Sequence, residues 1–104
     1  MGLWMKENIG NIENKLIMLR KAGVAFYAGS KWKGIYYGDY KGLIDYARSN
    51  QVDYLVIDAF TIPRLRPQFA FLLDENRKHP GLQLLHVVKY KDRKTLLYKV
   101  LPPQ

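Results

Sequence analysis

Apolar residues along this chain fall either into short unbroken runs or into stripes of helical spacing, and the two kinds alternate. Near the start, Leu3, Trp4 and Met5 lead into the polar Lys6 and Glu7, and Gly10-Asn11 ends any helix begun there. KLIML, residues 15–19, is a continuous apolar run of the kind buried on both faces in a parallel sheet. In AGVAFYAGS, residues 22–30, Val, Phe and Tyr suit a strand. Three alanines and a closing Gly29 suit a turn or two of helix with a glycine cap. The helix is the better reading, because a strand would leave only a tight link after KLIML. KGIYY, residues 33–37, then predicts a short strand bounded by Gly38-Asp39.

The clearest helix is DYKGLIDYARSN. Asp39 is a good N-cap, since its carboxylate accepts from first-turn amides that lack intrahelical partners. Tyr40, Leu43, Ile44 and Ala47 fall at i, i+3, i+4 and i+7 and make one apolar stripe, which Asn50-Gln51 ends. VDYLVID, residues 52–58, follows after almost no loop, as a helix returning to a parallel sheet does. In TIPRLRPQFAFLLDENRKHPG, Pro63 is placed in a turn and Pro67 in the first turn of a helix. Leu65, Phe69, Leu72 and Leu73 share a face of that helix, Arg77 and Lys78 complement its dipole, and His79-Pro80-Gly81 stops it. LQLLHVVKY and TLLYKVLP close the chain as an antiparallel hairpin joined by KDRK, with Lys91, Arg93 and Lys94 protecting its tip.

Helix, strand, short helix, strand, helix, strand, helix, strand, strand is the order of a sheet with right-handed crossovers. It predicts a single three-layer α/β domain over residues 1–104. The sheet is expected to have about four to five strands, mostly parallel, with the C-terminal antiparallel hairpin at its edge. Leu16, Ile17, Leu43, Ile44, Leu55, Ile57, Leu72 and Leu84 are expected to be buried together.

Composition narrows the chemistry. A chain of 104 residues is one domain by size, and 48% hydrophobic with 25% charged residues is globular. The absence of cysteine excludes disulfides, thiolate metal sites and thiol catalysis. His79 and His86 are the only imidazoles, too few for a zinc site. A net charge of +8 attracts anionic partners: nucleic acid, lipid head groups or a phosphorylated substrate. The cations are scattered in small clusters, however, and form no nucleic-acid arm. No segment reaches the roughly 18 to 20 consecutive apolar residues that cross a bilayer.

Asp58 ends an apolar strand, where open α/β proteins place their ligands. Metal-dependent phosphoryl transfer needs several converging carboxylates, and only Asp39 could share that edge; Asp53 starts the same strand and lies at its other end. Aspartate also favours turns by bonding its own downstream backbone, so Asp58 reads as architectural. AGSKWKG lacks the GxxxxGK[ST] spacing, and GxSxG, HExxH and GxGxxG are absent. Ser30 and Ser49 have no histidine near in sequence, and His86, inside an apolar strand, reads as structural. No catalytic residue, metal or cofactor is assigned. The most ligand-like patch is Tyr27 with Lys31, Trp32 and Lys33, where an indole between two ammonium groups suits a sugar face, a lipid head group or a stacked base. Gly29 and Gly34 flank it. A Trp32 packed beneath a neighbouring loop is the competing reading.

GLWMKEN, RKAGVAFYAGSKW, DYKGLIDYARSNQVDYLVID and the closing TLLYKVL follow one another at characteristic distances. Their order resembles the C-terminal extracytoplasmic domain of bacterial membrane glycosyltransferases related to the dolichyl-phosphate-mannose–protein mannosyltransferases. The resemblance implies a many-pass enzyme that transfers a sugar from a polyprenyl-phosphate donor on the periplasmic side of the inner membrane. Its catalytic acids would lie in loops between membrane helices, leaving this part a non-catalytic accessory domain. Leu3-Trp4 with Lys6-Glu7 matches the helix after the last span, and Arg20-Lys21 leading into Ala25–Gly29 matches a basic-pair-then-aromatic segment. The proline usual near Ala22 is missing here. Met1-Gly2 then reads as a start placed at a domain boundary. Implied partners are the membrane-embedded part of the same chain and anionic lipid or polyprenyl-phosphate sugar; a monomer is expected for the fragment. A free-standing basic nucleic-acid-binding domain is the alternative.

Overall fold

A computed structural model describes residues 1–20 and 23–103. Lys21 and Ala22, in the basic pair and at the expected start of the second helix, lie outside the described residues. The elements are α1 (Gly2–Asn8), β1 (Leu16–Leu19), α2 (Gly23–Ala28), β2 (Lys31–Gly34), α3 (Tyr40–Ser49), β3 (Tyr54–Asp58), α4 (Ile62–Leu65), β4 (Leu82–Tyr90) and β5 (Arg93–Val100). Short 3-10 helices follow α1 at Ile12–Asn14 and α4 at Pro67–Leu73. The alternation expected from the hydrophobic pattern is therefore present, in one α/β domain.

The five strands form one mixed sheet in the order β2-β1-β3-β5-β4. β1 pairs in parallel with β2 and β3, while β5 runs antiparallel to both β3 and β4. The hairpin is thus at the C-terminal end as expected, but its second strand is not the edge. β5 inserts beside β3 and leaves β4 outermost. Burial explains the choice: Leu96, Leu97 and Tyr98 are all buried, so β5 needs cover on both faces, whereas β4 is mostly half-buried.

Strict alternation splits the apolar side chains of the central strands between two clusters. Met18, Leu55, Ile57, Leu96 and Tyr98 join Leu43, Ile44 and Ala47 of α3, with Ile62, Phe69 and Leu72. Ile17, Leu19, Val56 and Leu97 join Met5 of α1 and Ala25 and Ala28 of α2. The expected core is corrected accordingly. Ile17 belongs to the second cluster, and Leu16 and Leu84 are only partly buried at the margin of the first. α1 and α2 approach so closely that a Cβ on Gly2 would stand 2.6 Å from the Val24 carbonyl oxygen.

Two further expectations shift. The second strand occupies Lys31–Gly34 instead of residues 33–37, because its ladder is only as long as β1, from Leu16↔Lys31 to Leu19↔Gly34. Ile35 is still buried, and Tyr36 turns away to pack its ring where a Cβ on Gly38 or Gly42 would stand. The fourth helix is broken. Arg66, at φ −140 and ψ 60, leaves helical geometry before Pro67, as steric restriction of a pre-proline residue dictates. Leu65 is consequently exposed while Phe69 and Leu72 are buried, so the four apolar residues do not share one face. Residues 74–81 form no helix, and Arg77 and Lys78 have no helix terminus to complement.

At the hairpin the turn tightens to Lys91-Asp92, with Lys89↔Lys94 directly opposed. Like charges facing each other across a ladder repel. Glu75 lies 3.2 Å from Lys89 and 3.7 Å from Lys94 and relieves that repulsion.

Leu55, 1% exposed in the middle of β3, is a direct measure of the core. Leu55→Ala should lower unfolding free energy by about 2–5 kcal/mol in chemical denaturation. The two tyrosines of the α3 side predict a pH dependence. Burial pushes the phenols of Tyr40 and Tyr98 from 10.0 up to about 12, and Tyr98 donates to the Leu72 carbonyl. A raised folded-state pKa means that the neutral form is favoured on folding. Stability should be unaffected by these groups below pH 10 and fall as pH rises from 10 towards 12, less steeply in Tyr98→Phe, as denaturation midpoints across that range will show.

Candidate functional site

Asp58 is 4% exposed at the end of β3. Its Oδ1 accepts from the Thr61 amide at 2.7 Å and its Oδ2 from the Thr61 hydroxyl at 2.7 Å. Those bonds turn the chain out of the sheet towards α4, leaving the carboxylate occupied by its own loop. Asp39 accepts from the Gly42 amide at 2.8 Å, the N-cap bond expected of it. Asp53 accepts from the Leu16 amide at 2.9 Å and ties the start of β1 to the start of β3. Each of these three aspartates therefore has a backbone donor to hold. Among the described residues no group of three or more His, Asp or Glu side chains converges as a metal site would require.

The two histidines have different surroundings. A bulge between Leu84 and His86 shifts the register of β4, so that His86 pairs with Leu97 and faces the α1 side. There its ring stacks on Trp4, with centroids 4.1 Å apart and planes 5° from parallel. His79 is 5% exposed, edge-on to Phe71 and Tyr98 at 5.4 and 5.7 Å. The sequence pattern marked His79 only as part of a helix stop; its burial arises from the return of the irregular segment 74–81 to β4, which no local spacing announces.

Tyr27 lies near the end of α2, and Lys31, Trp32 and Lys33 are the first three residues of the edge strand β2. Tyr27 and Trp32 are 63% and 55% exposed, so Trp32 is not packed beneath a loop. Strand alternation separates the cations from the indole. Trp32 pairs with Ile17 and faces the α1–α2 side, whereas Lys31 and Lys33 pair with Leu16 and Met18 and face the α3 side. Lys33 places its ammonium 5.5 Å from the centre of the Tyr46 ring. The indole instead lies on the side that carries two further exposed apolar residues, Phe26 at 81% and Leu3 at 62%. Phe26 contacts Tyr27 edge-on at 5.7 Å, and Gly2 brings the start of α1 against Tyr27. Neither Phe26 nor Leu3 belongs to the ligand-like patch read from the sequence, because exposure of a large apolar residue in a helix depends on which face its neighbours cover.

Exposed aromatic rings and an aliphatic side chain thus lie on this side, and Lys6 of α1 and Arg20, just after β1, are exposed as well. No helix among the described residues is long and apolar enough to cross a membrane.

The role of Asp58 yields a stability test. Asp58→Ala should destabilise by about 2 kcal/mol, since two hydrogen bonds to a buried side chain are lost with their donors left in place. Asp58→Asn keeps an acceptor for the Thr61 amide and should lose less. Urea denaturation of the two variants separates this from a catalytic carboxylate, whose removal would leave stability unchanged or raise it.

Comparison with protein-family models, with curated proteins and with solved structures finds no match to this chain.

Proposed function

We propose that this chain is a non-catalytic accessory domain of a polyprenyl-phosphate-sugar-dependent membrane glycosyltransferase, held on the extracytoplasmic side of the inner membrane. The observation that carries the reading is that Phe26, Tyr27, Trp32 and Leu3 are all exposed on the α1–α2 side of a chain with net charge +8. Large apolar side chains left exposed on one side mark interaction surfaces, and aromatic rings are favoured at the level of lipid head groups. Each Lys or Arg near an anionic bilayer adds roughly 1 kcal/mol. Tyr27 and Trp32 then meet the bilayer surface or the membrane-embedded part of the same chain, while Lys31 and Lys33 supply charge from the adjoining edge. Further support is the succession of quoted segments, which fall in chain order on α1, on α2 and β2, on α3 and β3, and on β5 of one domain. A three-layer arrangement belongs to the same reading, supported by the apolar clusters on alternate residues of the central strands.

Co-sedimentation with vesicles tests it. Binding to phosphatidylglycerol-rich vesicles should exceed that to phosphatidylcholine by about tenfold or more, and Phe26→Ser with Trp32→Ala should abolish most of it. Equal binding by the double variant would overturn the surface. The nucleic-acid alternative predicts instead tight duplex binding with a steep salt dependence.

A further inference from the structure

The segment 77–81 separates two open clefts, of about 680 and 530 Å³, and is held from both sides. From α3, the Tyr40 hydroxyl donates to the Pro80 carbonyl. From the end of β5, the Leu101 amide donates to the Gly81 carbonyl at 2.8 Å, and the Leu82 amide closes the turn onto the His79 carbonyl at 3.1 Å. Gly81 has φ +85, and a Cβ there would stand 3.2 Å from Ile44, so this backbone admits little else at that position. The ridge is pre-organised and does not need a ligand to order it.

His79 lines both clefts from this ridge. Its Nε2 is buried and has no hydrogen-bond partner among the described residues. A buried polar nitrogen left unpaired is costly and uncommon in native proteins. Around it the charge is one-sided. Lys41, Arg48, Arg77 and Lys78 line the smaller cleft against the single carboxylate of Asp45. In the larger cleft the carboxylate is Glu75, which already faces Lys89 and Lys94. The guanidinium of Arg77 sits over the Phe71 ring at 5.6 Å, and Arg48 is positioned by its bond to the Leu101 carbonyl at 3.1 Å.

We propose that the cleft between α3 and residues 77–81 binds a phosphate ester. The phosphate lies among Arg48, Arg77 and Lys78, and the ester's organic body rests against Phe71 and Pro80. The imidazole of His79 tips towards the cleft it lines and gives Nε2 the oxygen partner it lacks. Arginine pairs and planar guanidinium forks suit tetrahedral oxyanions, and a ring wall beside them suits an organic substituent. The inference stands apart from the membrane surface, which uses α1, α2 and β2 and none of these residues.

The test is an NMR titration of the full chain with inorganic phosphate, glycerol 3-phosphate and phenyl phosphate, each at ionic strength matched with chloride. Phenyl phosphate should bind more tightly than inorganic phosphate, shifting the His79 ring signals and the amides of residues 77–81. Glycerol 3-phosphate, the head-group fragment of a lipid, separates the two sources of the phosphate: if it binds as well as phenyl phosphate, the ester is a lipid's, and if it binds no better than inorganic phosphate, the ester is a soluble ring-bearing one. Arg77→Gln, an exposed change that keeps the fold testable, should weaken phenyl phosphate about tenfold, the scale of one charge-assisted bond, and Lys91→Gln at the distant hairpin tip should not. His79→Gln, its fold checked by its amide spectrum, should weaken binding as well. A silent His79 ring, or equal losses in Arg77→Gln and Lys91→Gln, would overturn the site as mere attraction of anions to a basic surface.

Discussion

Three short strands, β1, β3 and β5, carry apolar side chains on both faces, and the need to cover both at once governs the rest of the molecule. Met18, Leu55 and Tyr98, in register across the sheet, point one way, and Ile17, Val56 and Leu97 point the other. A strand loaded on both faces is covered most fully between two neighbouring strands with helices above and below. β1, β3 and β5 therefore take the interior positions, and the half-polar β2 and β4 take the edges. The same demand sets the helices. α3 and the segment around Phe69 and Leu72 close one face, α1 and α2 the other.

Cover at close range needs small residues and satisfied polar ends. Gly2 lets α1 lie on the backbone of α2, and Gly38 and Gly42 leave room for the Tyr36 ring. The carboxylates follow the same logic. Asp39 caps α3, Asp53 joins two strand starts, and Asp58 turns the chain beyond β3, each accepting from a backbone amide that lacks a ladder or helical partner. The acids that most invited a catalytic reading are the ones the fold consumes.

What the fold leaves over falls into two separate places. The α1–α2 side keeps large apolar residues in solvent because the second cluster is filled by Met5, Ala25 and Ala28, so the remaining positions of those short helices have nothing to pack on. At the α3 side, the return of the chain from Leu73 to β4 runs from Glu75, beside Lys89 and Lys94, to Gly81, beside Leu101, and draws His79 inward among Phe71 and Tyr98, with cations on both banks. One surface is apolar with charge around it, the other charged with rings beneath it, and their chemistries suit different partners.

Local pattern was enough for most of the elements, though not for the bounds of β2 or the break at Arg66. Unbroken apolar runs placed β1 and β3, the i, i+3, i+4, i+7 stripe with its Asp39 cap placed α3, and the polar KDRK link placed the hairpin, because each depends on contacts within a few residues. The pattern also identified Trp32 and Tyr27 as unusual, and the structure finds both exposed. It could not place β5 inside the sheet, assign Ile17 and Leu55 to opposite clusters, separate Trp32 from Lys31 and Lys33, or bury His79. Those outcomes depend on which strands become neighbours and how far each ladder extends, as when a four-residue β1 limits β2 to Lys31–Gly34. Pairing between residues far apart in sequence is settled by burial of whole faces, and no single segment carries that information.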